Sequence, residues 1–147
     1  MKTISIKPGQ GCFRDNNHAP IAAGIIFVWL VKKINGDKWI YNKILKISAT
    51  TNIHEYIDMN GSSWNNEPNE NTKIYFSWAI ITPNLRTRAC AAFINRYRPE
   101  YNQDYLDFFP FGETKIVCEE KIGFFEKQFI IEGEGKNETC KNLINKA

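Results

Sequence analysis

Ten residues constrain this chain more than any others: Gly24-Ile25-Ile26-Phe27-Val28-Trp29-Leu30-Val31-Lys32-Lys33. In an extended chain successive side chains point to opposite faces. Ile25, Phe27, Trp29 and Val31 then share one face, and Ile26, Val28 and Leu30 the other. A strand apolar on both faces is a central strand, and both faces must be covered. Asn35-Gly36-Asp37 follows it, and Asn-Gly readily takes the positive φ angles of a hairpin turn. The return strand is expected over Trp39 to Ser48, with Trp39, Tyr41, Leu45 and Ile47 on one face.

The remaining elements follow from punctuation and periodicity. Met1 to Ala19 reads as a strand stub (Ile4, Ile6) and a loop. Thr51 or Asn52 caps a short helix running to Met59, and Asn60 to Thr72, rich in Asn, Ser, Glu and Pro, reads as an exposed loop. Lys73 to Ile81 is a strand. Thr82-Pro83 starts a helix, the threonine accepting from an orphan amide and the proline sitting where its missing N–H costs nothing. Leu85, Ala89, Phe93 and Tyr97 mark its packed face, and it ends before Pro99. Thr114 to Lys121 and Phe124 to Glu132 form a second hairpin closed near Gly123, ahead of a polar tail. The expected fold is a small α/β (α+β) domain: a mixed, mostly antiparallel sheet, flanking helices and a C-terminal β-hairpin.

Composition narrows the function classes. At 147 residues the chain is expected to form a single domain, 1–147. Hydrophobic residues at 43% and charged residues at 24% exclude disorder over the whole length. The longest apolar run, Pro20 to Val31, is interrupted by Gly24 and closed by lysines, short of the roughly 20 residues of a membrane span. The polar segment Lys7 to His18 before it speaks against a signal peptide. A cytoplasmic protein with no membrane partner is expected. The net charge of +3 permits nucleic-acid contact without demanding it. The 4 cysteines, Cys12, Cys90, Cys118 and Cys140, form no C-x-x-C pair and read as scattered, half-buried thiols. With 2 histidines they supply no zinc spacing, and no metal and no cofactor is expected.

Generic catalytic patterns are missing: there is no G-x-S-x-G, H-E-x-x-H, Walker loop or G-x-G-x-x-G. His54-Glu55 reads as a solvated helix face, and Glu119-Glu120 with Glu132 and Glu134 as strand positions. Arg86, Arg88, Arg96 and Arg98 form the densest basic cluster. Residues two apart on a helix diverge by about 200°, so a continuous phosphate-binding stripe does not follow from this spacing.

Cys90-Ala-Ala-Phe-Ile-Asn-Arg-Tyr-Arg-Pro-Glu-Tyr-Asn102 resembles the late helix of GIY-YIG nuclease domains, especially those of excision-repair incision enzymes. In that family the helix carries a metal-binding glutamate, continues as an apolar Leu-Ile pair and ends in a Pro-x-Tyr-Asn tail. Phe93-Ile94 match the pair, and Pro99, Tyr101 and Asn102 the tail. Ala19-Pro20 followed by Gly24 to Trp29 resembles the stretch leading into the GIY strand. Leu45 to Tyr56 resembles the YIG strand and the helix that delivers the catalytic arginine. The resemblance covers residues 19–102 and leaves out 103–147, with its aromatic loop, hairpin and polar tail.

Carried over by position, the family tyrosines fall on Ile26 and Lys46, the YIG glycine on Ser48, the arginine on Tyr56 and the metal-binding glutamate on Cys90. Asn102 alone is kept. The family chemistry needs a phenol or its water to attack, a guanidinium to steady the phosphate, and a carboxylate to hold a divalent metal. Cysteine is a poor ligand for magnesium. The resemblance thus implies no catalytic residues here. It implies a catalytically degenerate GIY-YIG-like domain acting by binding, with DNA or RNA held through Lys43, Lys46, Arg86, Arg88 and Asn102. A second reading is a protein–protein interaction module using the aromatic segment 101–111: Tyr101, Tyr105, Phe108, Phe109 and Phe111. A third is an active nuclease with a divergent site, Tyr41 or Tyr56 supplying the phenol and Glu55 or Glu100 the carboxylate.

Overall fold

In the computed structural model, which describes residues 1–64 and 70–133, the expected central strand is β3 (Gly24–Ile34). We number six further strands in chain order: β1 (Lys2–Ile6), β2 (Cys12–Phe13), β4 (Lys38–Thr50), β5 (Thr72–Ile80), β6 (Thr114–Cys118) and β7 (Gln128–Ile131). The helices are α1 (Ile53–Asn60) and α2 (Pro83–Tyr97). Strand β3 pairs antiparallel with β4 on one side and β5 on the other, in a sheet of order β2-β5-β3-β4. Gly36 turns the β3–β4 hairpin at φ +74°, the left-handed region that favours glycine. The chain is a mixed α/β fold, as its element pattern predicts.

Two cores flank β3, one per face. Ile25, Phe27, Trp29 and Val31 enter the larger core, which also takes in α2; Ile26 and Val28 enter a smaller one with Ile53 and Ile57 of α1. Phe27 meets Phe93 edge to face at 5.0 Å, and Tyr97 stacks on Phe125 at 3.8 Å. Gly123, at φ +55°, lies against Trp29, and a Cβ there would come within 2.4 Å of the indole.

The sheet is not single. The C-terminal hairpin β6–β7 is joined by β1, which pairs parallel with β6, in a second sheet of order β1-β6-β7. This sheet brings Ile4, Ile6, Ile116, Phe129 and Ile131 into the same large core. Helix α2 therefore has cover beyond the one face read from its Leu85, Ala89, Phe93 and Tyr97 spacing. Ala89, Cys90, Ala91, Ala92, Phe93 and Ile94 are all buried, as in a helix packed all round. The small side chains at 89 to 92 let the backbone approach its neighbours closely.

Local details depart from expectation where backbone geometry intervenes. The β3–β4 register slips between Val28 and Trp29 and again between Leu30 and Val31. These bulges place Leu45 in the smaller core while Ile44 and Ile47 enter the larger, so Leu45 does not share the face of Ile47. Asn52 caps α1 as expected, accepting from the Glu55 amide at 3.0 Å. Thr82 does not cap α2 with its side chain; its hydroxyl donates to Asn84 instead. Gly61–Trp64 forms a 3-10 turn with Trp64 buried, so the expected loop over 60–72 is only partly exposed; residues 65–69 lie outside the described residues. The polar tail from 134 onward, with Cys140, also lies outside them. Among the described residues no helix is long and apolar enough to cross a membrane.

Within the larger core the Trp29 indole N–H donates to Ser77 Oγ at 2.9 Å, both groups buried. Ser77→Ala leaves that donor without a partner and is expected to cost about 1–3 kcal/mol in urea denaturation. An unchanged midpoint would mean the indole finds another acceptor.

Candidate functional site

Strand β4 is a sheet edge, and an unpaired edge offers a row of free N–H and C=O groups. The chain leaving α2 covers it. Arg98 takes the left-handed conformation at φ +49°, and its amide donates to Ile94 O, closing the helix. Pro99 is buried and turns the chain back toward the strand. The Tyr101 amide then donates to Leu45 O at 2.9 Å. Asn102 pairs with Ile47 twice: its Nδ2 donates to Ile47 O and its Oδ1 accepts from Ile47 N, both at 2.9 Å. One side-chain amide thus stands in for a paired strand residue.

Beside this clasp opens a cleft of about 510 Å³. Lys46, Ser48 and Ala49 come from β4; Thr87, Cys90 and Ile94 come from α2; Asn102, Gln103, Asp104 and Tyr105 come from the returning segment. Thr87, Cys90 and Ile94 fall at i, i+3 and i+7, one stripe of the helix. Tyr56 of α1 reaches the same place, its hydroxyl hydrogen-bonded to Ser48 Oγ at 3.2 Å. Ile26 is the register partner of Ser48 across the hairpin, fully buried beneath α1.

The cleft is poor in reactive groups. Burial pushes the Cys90 thiol up to about 12, with a hydrogen bond to the Ala49 backbone opposing. At neutral pH it is therefore an uncharged thiol, weak both as nucleophile and as metal ligand. Burial also pushes the Tyr56 phenol up, against the lowering effect of its bond to Ser48, with nearby Cys90 adding to the rise. Lys46 and Asp104 are the formally charged side chains of the lining. Among the described residues no group of three or more His, Cys, Asp or Glu is placed to hold a metal ion. What remains is one ammonium and one carboxylate among hydroxyls and amides around an open cleft, a set suited to holding a polar ligand.

Residues singled out from the sequence fall in three places. Lys46, Ser48, Cys90 and Asn102 line the cleft and Tyr56 meets it through Ser48, but Ile26, expected at the same site, points to the opposite face of the sheet into the smaller core. Lys43 pairs with Glu100 at 3.2 Å, and Arg86 stands half-buried one helical turn before Cys90. Arg88 points elsewhere: its guanidinium donates to Thr114 Oγ1 at 2.8 Å and to Gly112 O at 3.1 Å, and it lies over the Phe111 ring. It fastens α2 to the segment entering the second sheet. Tyr41 opens on a different pocket, and Glu55 is exposed on α1 beside Asn52. The aromatic segment is divided: Phe109 is buried, Tyr105 and Phe111 pack half-buried on the larger core, and Phe108 and Tyr101 are exposed. Ile94 belongs to the apolar pair of the resemblance, while Thr87 is a lining residue that the sequence reading missed although helical spacing from Cys90 finds it. Gln103 and Asp104 carry no such signal, because a loop has no period.

Asn102→Ala removes both bonds to Ile47 and is expected to destabilise the fold by about 1–3 kcal/mol. Hydrogen exchange at the Ile47 amide should accelerate beyond what the global loss explains; equal acceleration everywhere would refute the clasp. The thiols set an alkaline limit. Cys90 at about 12 and Cys118 at about 11 lie above the ordinary 9.0. Above pH 9 the unfolded chain releases protons that the folded chain keeps, so stability is present below pH 9 and falls as pH rises toward 11–12. Cys90→Ala should flatten the decline between pH 9 and 11 by up to about 1.4 kcal/mol per pH unit, whatever its effect at pH 7.

No family model, no curated protein and no solved structure matches the chain.

Proposed function

We propose that this chain is a GIY-YIG-like domain whose catalytic groups have been replaced and whose cleft binds nucleic acid without cutting it. The observation that carries this reading is convergence. Lys46, Ser48, Cys90 and Asn102, drawn from separated parts of the sequence, line one cleft between the β4 edge and α2, and Tyr56 reaches it through Ser48, whereas Ile26 lies on the opposite face of the sheet in the smaller core. The resemblance assigns the converging positions to its second tyrosine, glycine, glutamate, terminal asparagine and arginine; the position of its first tyrosine, Ile26, is not among them.

The substituents favour binding over cleavage. Ile26 has no polar atom, Lys46 adds a positive charge, and Cys90 is a buried neutral thiol where the family has a metal-binding carboxylate. Lys46 faces the cleft, with Arg86 one turn from Cys90 and Lys43 farther along the same strand. An ammonium in this position neutralises a phosphate and releases its counterion, which makes affinity salt-dependent.

The test is a titration of labelled single- and double-stranded DNA and RNA at several salt concentrations. The parent protein should bind with affinity that falls as salt rises. Lys46→Gln should reduce the slope of log K against log salt by about 0.7–0.9, the value of one phosphate contact. No nicking of plasmid or single strands is expected with magnesium or manganese. Salt-independent or absent binding removes the nucleic-acid reading, and reproducible nicking lost in Tyr56→Phe or Tyr41→Phe makes the protein an enzyme.

A further inference from the structure

A second concavity lies on the larger-core face of the first sheet, toward the β3–β4 turn and away from the cleft. It encloses about 240 Å³ and is lined by Phe13, Val31, Trp39, Ile40, Tyr41 and Tyr75. Four strands contribute. Val31 of β3 lies opposite Tyr41 of β4 in register, and Tyr75 of β5 pairs with Phe13 of β2. The cover that Phe124 and Phe125 give Trp29 does not extend to this layer, where Tyr41 and Ile40 are each 38% exposed.

The rings wall a box and do not fill it. Phe13 meets Trp39 at 63° and Tyr75 at 72°, and Tyr41 meets Tyr75 at 73°, all edge to face. Such a box attracts either a cation or another flat π-system. The cation's place is already taken. Lys73 Nζ stands 5.4 Å from the Phe13 ring centroid and 5.5 Å from that of Trp39, and Lys33 Nζ lies 6.0 Å from Trp39. Lys33 also pairs with Asp37, an exposed contact worth little. Two ammonium groups repel a cationic guest and favour one that brings a negative charge. The volume is below the roughly 300–1,000 Å³ of drug-sized sites and suits one ring system.

The geometry points to a nucleobase-stacking pocket: an unstacked base of a single-stranded nucleic acid enters between Trp39, Tyr41 and Tyr75 while its phosphate meets Lys73. Aromatic platforms beside lysines are the general means by which single strands are held without sequence reading. The inference rests on the nucleic-acid reading above and assigns that reading a strand class. It involves residues outside the cleft, so the two can fail separately.

The experiment compares a short oligothymidylate strand, a strand of the same length with abasic sugars in place of its bases, and a blunt duplex, followed by tryptophan quenching and anisotropy. The base-bearing strand should quench fluorescence and bind at least about 5-fold tighter than the abasic strand. Tyr41→Ala, a truncation at the exposed rim, should abolish most of that preference without lowering the melting temperature by more than a few degrees. Trp39→Phe, which keeps a ring, should retain it. Lys73→Gln should lower the salt slope by about 0.7. Equal affinity for the base-bearing and abasic strands overturns the pocket, as does a folded Tyr41→Ala that keeps the preference. If Lys46→Gln weakens both strands while Tyr41→Ala affects neither, the cleft reading stands and the pocket falls. If Tyr41→Ala removes base preference while Lys46→Gln changes nothing, the pocket stands and the cleft reading falls.

Discussion

Strand β3 carries large apolar side chains on both faces, and Ile25, Ile26, Phe27, Val28 and Trp29 are all at 0% exposure. Burying residues of this size contributes roughly 1.5–3 kcal/mol each, and that gain exists only if both faces are covered. Helix α1 and Trp64 help to close one side. The other takes α2, the Phe124–Phe125 segment and, behind the helix, the β1-β6-β7 sheet. The N-terminal strand, the C-terminal hairpin and the central helix are thus tied to one strand by the requirement that it stay dry.

The same requirement shapes the cleft. Packing α2 over β3 and β4 sets its Thr87–Cys90–Ile94 stripe beside the β4 edge, and the segment after Pro99 returns to that edge and pairs with it through Asn102. The cleft is the space left between the helix and this return. Its wall includes buried groups whose ionisation burial suppresses, Cys90 above all. The cleft keeps a thiol and a phenol neutral and presents one lysine and one aspartate. The aromatic box beside Lys73 lies on the same sheet but at its other end, where the covering segments run out.

Much of the fold is legible in local pattern. The two-sided run from Gly24, the Asn35-Gly36 turn, the Asn52 cap and the Leu85-Ala89-Phe93-Tyr97 spacing each rest on interactions within a few residues, which sequence reports directly, whereas the strands expected over Thr114 to Lys121 and Phe124 to Glu132 shorten to β6 and β7 with residues 119–127 between them. The bulge at Leu45 is different: it is a mismatch between two strands, and a single strand's alternation cannot show it. The addition of β1 to β6 joins residues more than a hundred positions apart. Arg88 illustrates the limit for function. It stands out in the sequence as a basic candidate, yet its partners at Gly112 and Thr114 are supplied by a remote segment.

Sequence by itself determined the element types, the central strand and the pairs of residues that sit on one helix stripe, because these follow from backbone periodicity and local turn chemistry. It also determined which reactive side chains the chain has to offer. Tertiary structure alone decided which of them meet. Lys46, Ser48, Cys90 and Asn102 share a cleft because α2 is held against the β4 edge, while Tyr41 joins Phe13, Trp39 and Tyr75 because strands from three parts of the chain lie side by side. Such meetings depend on register and on layer packing, which are properties of the whole burial solution and of no segment within it.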